Sequence, residues 1–289
     1  MAAASELRDR PDSRSQLKVV ETMPGSALAA QKMPGHWLLA RLGKRVLRPG
    51  GLELTQWLIN ALGVSGEDNV VELAPGLGVT ARLLLERKPR SYLGVDRDPA
   101  AAARVTQRLD GTGAKCLVGH AETTGLPREC ASVVLAEAML SMQPDSQKQR
   151  IVAEAHRILR PEGRYGIHEL CLNEDDLNPT RREVIERDLS QAIHVGVRPL
   201  TPAQWCDLLR CQGFEVVAEH RTPMHLLEPR RMIQDEGLGR FARILFNLLR
   251  DKTARQRVRA MRAVFRRHGQ HLSAIALVAQ KTEAKSFQR

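Results

Sequence analysis

The stretch VVELAPGLGVTARLLLERKP, residues 70–89, decides the fold. A run of strand-forming residues ending at Leu73 meets Gly76 and Gly78, and a helical run follows from Thr80. Glycines at such a corner let the backbone approach a ligand at the carboxyl end of the strand. Gly76-x-Gly78-x-x-Ala81 fits a dinucleotide fingerprint, and Asp96 stands where an acid that binds a ribose is expected. Glu72 argues against a dinucleotide, because a carboxylate at the strand end opposes a pyrophosphate. It favours a ligand that brings cationic groups to the corner. The plain alternative is a tight strand-to-helix turn that holds nothing.

Outward from this corner, strands and helices alternate. Apolar, β-branched runs at 70–73, 92–95, 115–118, 133–136, 164–168 and 214–218 are separated by helical segments such as 80–87 and 146–159. This pattern predicts an α/β fold, Rossmann-like, with a seven-stranded, mostly parallel sheet and helices on both faces. Its seventh and last strand, HLSAIALVAQ at 271–280, is expected to run antiparallel, with a helical insertion before it. Thr201 as cap, Pro202 in the first turn and Gly213 beyond the end bracket a further helix. Residues 1–16 are polar and aperiodic and read as a mobile tail. Residues 17–62 read as a helical lid broken by two Met-Pro-Gly turns, 63–222 as the ligand-binding core, 223–270 as a basic helical cap, and 271–289 as the final strand and a tail. In the cap, Leu238, Phe241, Leu245, Leu248 and Leu249 are expected to share one helix face, and Val258, Met261 and Phe265 another.

The acid and the glycine-rich loop after the first strand resemble the first motif of the class I S-adenosylmethionine-dependent methyltransferases. Three further segments carry the resemblance. VGHAETTGLP at 118–127 is similar to the segment that lines the adenine after the third strand, and ASVVLAEAMLSM at 131–142 to the fourth strand and its methyl-facing exit. AEAHRILRPEGRYGIHEL at 153–170 resembles the helix, turn and fifth strand of the small-molecule, methyltransferase type 11-like branch. The likeness covers roughly residues 65–220 and the last strand. It implies methyl transfer from S-adenosylmethionine to a small-molecule acceptor. Cofactor binding would then fall to Glu72, Ala74, Gly76, Gly78, Asp96, Arg97, Ala121, Glu122 and Glu137. Two departures stand out: Ala74 replaces the first glycine of the motif, and His120 occupies the place of an acid that meets the adenine amino group.

If the acceptor must lose a proton, a base is needed near the strand exits. Glu169, His194 and His168 are the candidates, with Glu169 favoured because neighbouring strand residues face opposite ways and it lies nearer the exit. His36 and Trp37 are candidates for the lid. No His/Cys spacing suggests a metal.

The 289-residue chain carries a formal charge of +11, and residues 230–268 hold twelve Lys/Arg against Asp235, Glu236 and Asp251, which is nine of those charges. So localised a charge leaves nucleic-acid methylation as the alternative function. Against it stand the ten aromatic residues, few for stacking flipped bases, and LAEAML where a nucleic-acid enzyme carries an Asn-Pro-Pro-Tyr type motif. A basic cap that steers a small, anionic acceptor is favoured. An NAD-dependent dehydrogenase and a non-catalytic cofactor-binding protein are the remaining alternatives. Five cysteines without a CxxC pair and a charged amino terminus read as a cytoplasmic protein with reduced thiols and no membrane span.

Overall fold

The computed structural model describes residues 24–25, 28–174 and 177–282. The tail expected at 1–16 lies outside them. In chain order the elements are α1 (Gly35–Arg41), α2 (Gly51–Leu62), β1 (Asn69–Leu73), α3 (Val79–Leu85), β2 (Ser91–Asp96), α4 (Pro99–Arg108), β3 (Lys115–Val118), β4 (Ala131–Glu137), α5 (Asp145–Ile158), β5 (Leu159–Leu172), α6 (Pro179–Ile193), α7 (Pro202–Arg210), β6 (Phe214–Pro223), α8 (Pro229–Glu236), α9 (Leu238–Arg250), α10 (Lys252–Arg267) and β7 (Leu272–Lys281).

The seven strands form one sheet in the order β3-β2-β1-β4-β5-β7-β6. β1 to β5 pair in parallel, and β7 enters antiparallel between β5 and β6. The central strands are covered on both faces, which is why β4 (ASVVLAE) and β7 (LSAIALVAQK) read as nearly continuous apolar runs rather than alternating ones. One face is closed by α2, α3 and α4 through Leu54, Leu58, Ala81, Leu84, Ala102 and Val105. The other is closed by α5 and α7 through Ile151, Val152, Ala155, Trp205 and Leu209. α7 starts as its sequence predicts: Thr201 and Gln204 form a reciprocal capping box, with Pro202 at the first helical position.

The remaining helices sit over the carboxyl ends of the strands. α1, α8, α9 and α10 share a separate apolar cluster built on Leu38, Leu39, Leu42, Met232, Ile244 and Met261. α6 and α10 enclose another with Ile185, Leu189, Met224 and Val264. Among the described residues three helices, α8, α9 and α10, stand between β6 and β7, one more than the two apolar faces of the cap sequence suggest. The reading of α9 also needs correction. Ile244 is buried and Phe241 and Leu248 pack beside it, but Leu238, Leu245 and Leu249 face outward. The apolar arc of this helix is wider than the surface available to cover it, so the sequence pattern alone picks the wrong edge of the arc.

Candidate functional site

At the corner after β1 the backbone enters the left-handed region at every second residue, with φ of 55° at Ala74, 55° at Gly76 and 69° at Gly78. Gly78 caps α3. Ala74 adopts a conformation that normally selects glycine, at a cost of about 1–2 kcal/mol, and its N–H is fixed by the Val95 carbonyl at 2.7 Å. The Gly76 N–H donates to Asp96 Oδ2 (3.1 Å) and the Asp98 N–H to Asp96 Oδ1 (2.9 Å), so the acid that ends β2 is aimed at the loop. Glu72 is buried, with the Tyr92 hydroxyl donating to Oε2 at 2.6 Å. Burial pushes its carboxyl up to about 8, against the pull of that hydrogen bond. Burial also raises Asp96.

These carboxylates line a cavity of about 400 Å³ outside the carboxyl ends of the strands, where β1 and β4 lead to opposite halves of the sheet. Open α/β sheets bind ligands at that switch point. Ala74, Gly76, Arg97, Ala121, Glu122, Glu137 and His120 also line it, whereas Gly78 is outside the lining, and a Cβ there would lie 3.4 Å from the Val105 side chain. Glu122 accepts a hydrogen bond from the Gln147 side chain (2.8 Å).

Glu137, which ends β4, joins four parts of the chain. Its Oε1 accepts from the Thr55 hydroxyl of α2 (2.7 Å) and faces His168 Nδ1 of β5 (2.8 Å). Its Oε2 accepts from the Thr80 hydroxyl of α3 and meets Arg48 Nη1 at 3.1 Å. Burial alone would raise this carboxyl, but Arg48 and His168 outweigh it and hold it down at about 2. The buried His168 ring reaches the Pro49 carbonyl through Nε2 (2.6 Å). Glu137 and His168 are thus the seat on which the segment between α1 and α2 rests.

The same segment is gripped from the cap. Glu236 Oε1 accepts from the backbone N–H of Arg45 (2.6 Å) and Val46 (2.8 Å), and Asp235 Oδ1 from the N–H of Leu52 in the first turn of α2 (2.9 Å). Lys44 lies between the two acids, its ammonium 3.9 Å from Asp235 and 4.0 Å from Glu236. Burial pulls that ammonium down and the two carboxylates oppose the shift.

The three candidate bases fare differently. Glu169 is fully buried and saturated: Oε1 accepts from the N–H groups of Met139 (2.9 Å) and Leu140 (2.7 Å), Oε2 from the N–H (3.0 Å) and hydroxyl (2.6 Å) of Ser141. This carboxylate holds the turn after β4. His168 is buried behind Glu137 and does not line the cavity. His194 is the left-handed C-cap of α6 (φ 57°), exposed and outside the lining, whereas Ile193, the last residue of the helix, lines the cavity. Glu169 nonetheless stands among the residues that line the cavity, as do His36 and Trp37, whose rings lie 4.7 Å apart. Burial, with Arg97 assisting, lowers the His36 imidazole to about 4.

Sequence reasoning missed Arg48, Thr55 and Thr80. Arg48 is nine-tenths buried, and its Nε and Nη2 have no hydrogen-bond partner although Nη1 is paired. The Arg-Pro-Gly-Gly turn at 48–51 was its only local signal. The residues fit a cofactor with cationic and carboxylate groups: a buried carboxyl with one free oxygen at Glu72, a left-handed backbone free of side chains at Gly76, and unpaired guanidinium nitrogens at Arg48.

The family described as "Methyltransferase domain" matches residues 70–163. An uncharacterized protein of Haemophilus influenzae is 35% identical over 251 residues, which is 86% of this chain and 98% of that protein. Among solved structures, the [4+2]-cyclase SpnF is similar at a TM-score of 0.66 and 15% identity, covering 86% of this chain and 93% of the cyclase. The phosphoethanolamine N-methyltransferase 2 of Haemonchus contortus, solved with phosphomonomethylethanolamine and S-adenosylhomocysteine, is similar at a TM-score of 0.65 and 14% identity, over 86% of this chain and 58% of that one.

Proposed function

The chain belongs to the class I S-adenosylmethionine-dependent methyltransferases, and from that premise we propose that it methylates a small acceptor with a largely apolar body. The observation that carries this reading is the continuity of one cavity. It runs from the carboxylate-lined corner into a chamber walled by Leu39, Met139, Leu189, Val195, Met224 and Met261. SpnF, described as a cyclase, has the same fold, so the fold by itself does not fix the chemistry and the residues must.

Bound in this cavity, S-adenosylmethionine supplies a methyl group on a cationic sulfur, open to in-line displacement. In our reading Glu72 holds the ammonium and Arg48 the carboxylate of the amino-acid end. Asp96, with Arg97 beside it, takes the ribose hydroxyls, and Ala121 and Glu122 flank the adenine. Ala74, Gly76 and Gly78 allow the backbone to come close, and Glu137 offers its backbone while its side chain holds Arg48. The corner's carboxylates disfavour a dinucleotide for the same electrostatic reason that they favour a cation.

Positioning supplies the acceleration. Holding nucleophile and methyl in near-attack geometry is worth several orders of magnitude without a protein base. We assign no proton transfer to Glu169, His168 or His194. His36, neutral at physiological pH, packs with Trp37 against the acceptor. Of the three arginines that line the cavity, Arg97 stands beside Asp96 at the ribose end, and Arg45 and Arg48 are each paired with a glutamate, which favours an apolar acceptor over an anionic one.

Titration calorimetry with S-adenosylhomocysteine, with Asp96→Ala and NADH in parallel, tests the cofactor half. Micromolar binding by the parent and its loss in the variant support the reading; binding of NADH alone overturns it. Transfer of labelled methyl from S-adenosylmethionine to apolar acceptors, compared with RNA, then tests the acceptor half.

A further inference from the structure

Helix α9 presents an apolar face that nothing among the described residues covers. Leu238 is 72% exposed, Leu245 44%, Phe246 56% and Leu249 70%. With Ala242 they follow the spacing i, i+4, i+7, i+8, i+11, one stripe along a helix of thirteen residues, about 20 Å long. These four are half of the large apolar side chains that the described residues expose. The opposite side, with Ile244 and Leu248, is anchored in the apolar cluster of the cap. The stripe is therefore held rigidly outward.

Cations border it. Arg243 and Arg250 are exposed on the flank next to Phe246, and the Arg250 guanidinium lies 5.3 Å from the centre of the Phe246 ring. Lys252, Arg259, Arg266 and Arg267 of α10 are exposed as well. Between Leu238 and Arg267 the only acid is Asp251, and it is paired with Arg41 at 3.0 Å. A rigid helix with Leu and Phe on one line and arginines beside it has the composition of an interfacial helix, whose apolar side chains enter the acyl boundary while the cations meet anionic headgroups. The same charge disfavours a second copy, since two such faces would bring like charges together. RNA would be drawn by the cations but gives the Leu/Phe line no role.

We infer that α9 docks this protein on an anionic lipid surface. No helix among the described residues is long and apolar enough to cross a membrane, so the association is peripheral. α10, packed against α9, contributes Met261 and Phe265 to the cavity wall, which puts the docking helix next to the chamber. The inference stands on the exposed stripe and its charge and does not depend on the acceptor.

The test is flotation of the full chain with extruded vesicles of phosphatidylglycerol and phosphatidylcholine, with vesicles of phosphatidylcholine alone as the control. A variant carrying Leu245→Ser, Phe246→Ser and Leu249→Ser is run beside the parent. Because all three positions are exposed, its melting temperature and its S-adenosylhomocysteine binding should match the parent's. We expect the parent to float with the anionic vesicles, at least tenfold less with the neutral ones, and the triple variant at least tenfold less than the parent. No flotation, or flotation undiminished in the triple variant, overturns the inference. So does a concentration-dependent dimer that the three serines dissolve, which would give the stripe to a second copy, or retention of RNA without vesicle binding.

Discussion

Glu72 and Glu169 are both buried glutamates at strand ends, and their neighbours give them opposite work. Glu72 has one hydrogen bond and faces the cavity. With its free-state pKa near 8, it is mostly protonated at neutral pH. A bound ammonium favours the ionised form, so ligand binding below pH 8 expels a proton, and affinity must rise as pH approaches 8. The slope is at most about tenfold per pH unit. Calorimetry with S-adenosylhomocysteine at pH 6, 7 and 8 should show this rise in the parent, and a flatter, weaker profile in Glu72→Gln. Glu169 instead accepts four hydrogen bonds from residues 139–141. Glu169→Gln puts an amide donor against backbone donors and should lower stability by about 1–3 kcal/mol, read by urea denaturation, with the pH profile of methyl transfer unchanged. A variant of normal stability whose turnover is lost would make Glu169 a base after all. That Glu72 lines the cavity was legible from its place before the glycine loop. That Glu169 spends both oxygens on the turn after β4 was hidden, because its donors come from about thirty residues earlier.

The element that best illustrates long-range control is α2. Its apolar spacing and the glycine at its end were plain in the sequence, and Gly63 is indeed its left-handed C-cap (φ 59°). Its amino terminus was not. The turn at 48–51 is formed by glycines at φ 72° (Gly50) and 64° (Gly51), and a Cβ on Gly51 would lie 2.4 Å from Asp235 Oδ1. The glycine is there so that a carboxylate from α8 can reach the first turn of the helix, where a negative charge is favoured. Gly51→Ala should lower stability by at least about 2 kcal/mol, from the left-handed backbone and the displaced acid together. Asp235→Ala removes the acceptor of the Leu52 N–H and one of the two acids beside buried Lys44, and should cost about 1–3 kcal/mol, again read by denaturation. Equal stability in either variant would show that the cap does not hold the lid segment. α6 escaped the sequence reading for a related reason: its residues alternate in charge, and Ile185 and Leu189 alone are buried along it.

For the molecule as a whole, the cavity links three layers: sheet, lid segment and cap. Saturating ligand should therefore stabilise all of it together. At a hundred times its dissociation constant, S-adenosylhomocysteine should add about 2.7 kcal/mol, seen as one cooperative transition at higher temperature, and Asp96→Ala should abolish the shift. Two separate transitions, with only one moved by ligand, would show that the cap and core are not coupled. The alternation of strands and helices and the glycine corner beside Glu72 and Asp96 were determined by the sequence itself, because strand period, turn chemistry and strand-end position are local properties. The Arg48–Glu137–His168 junction, the clamp from Asp235 and Glu236, the outward edge of α9, the backbone donors around Glu169 and the place of His194 outside the cavity lining were decided only by tertiary structure. Each depends on which groups, up to about two hundred residues apart, share a low-dielectric space, and no local pattern of residues records that.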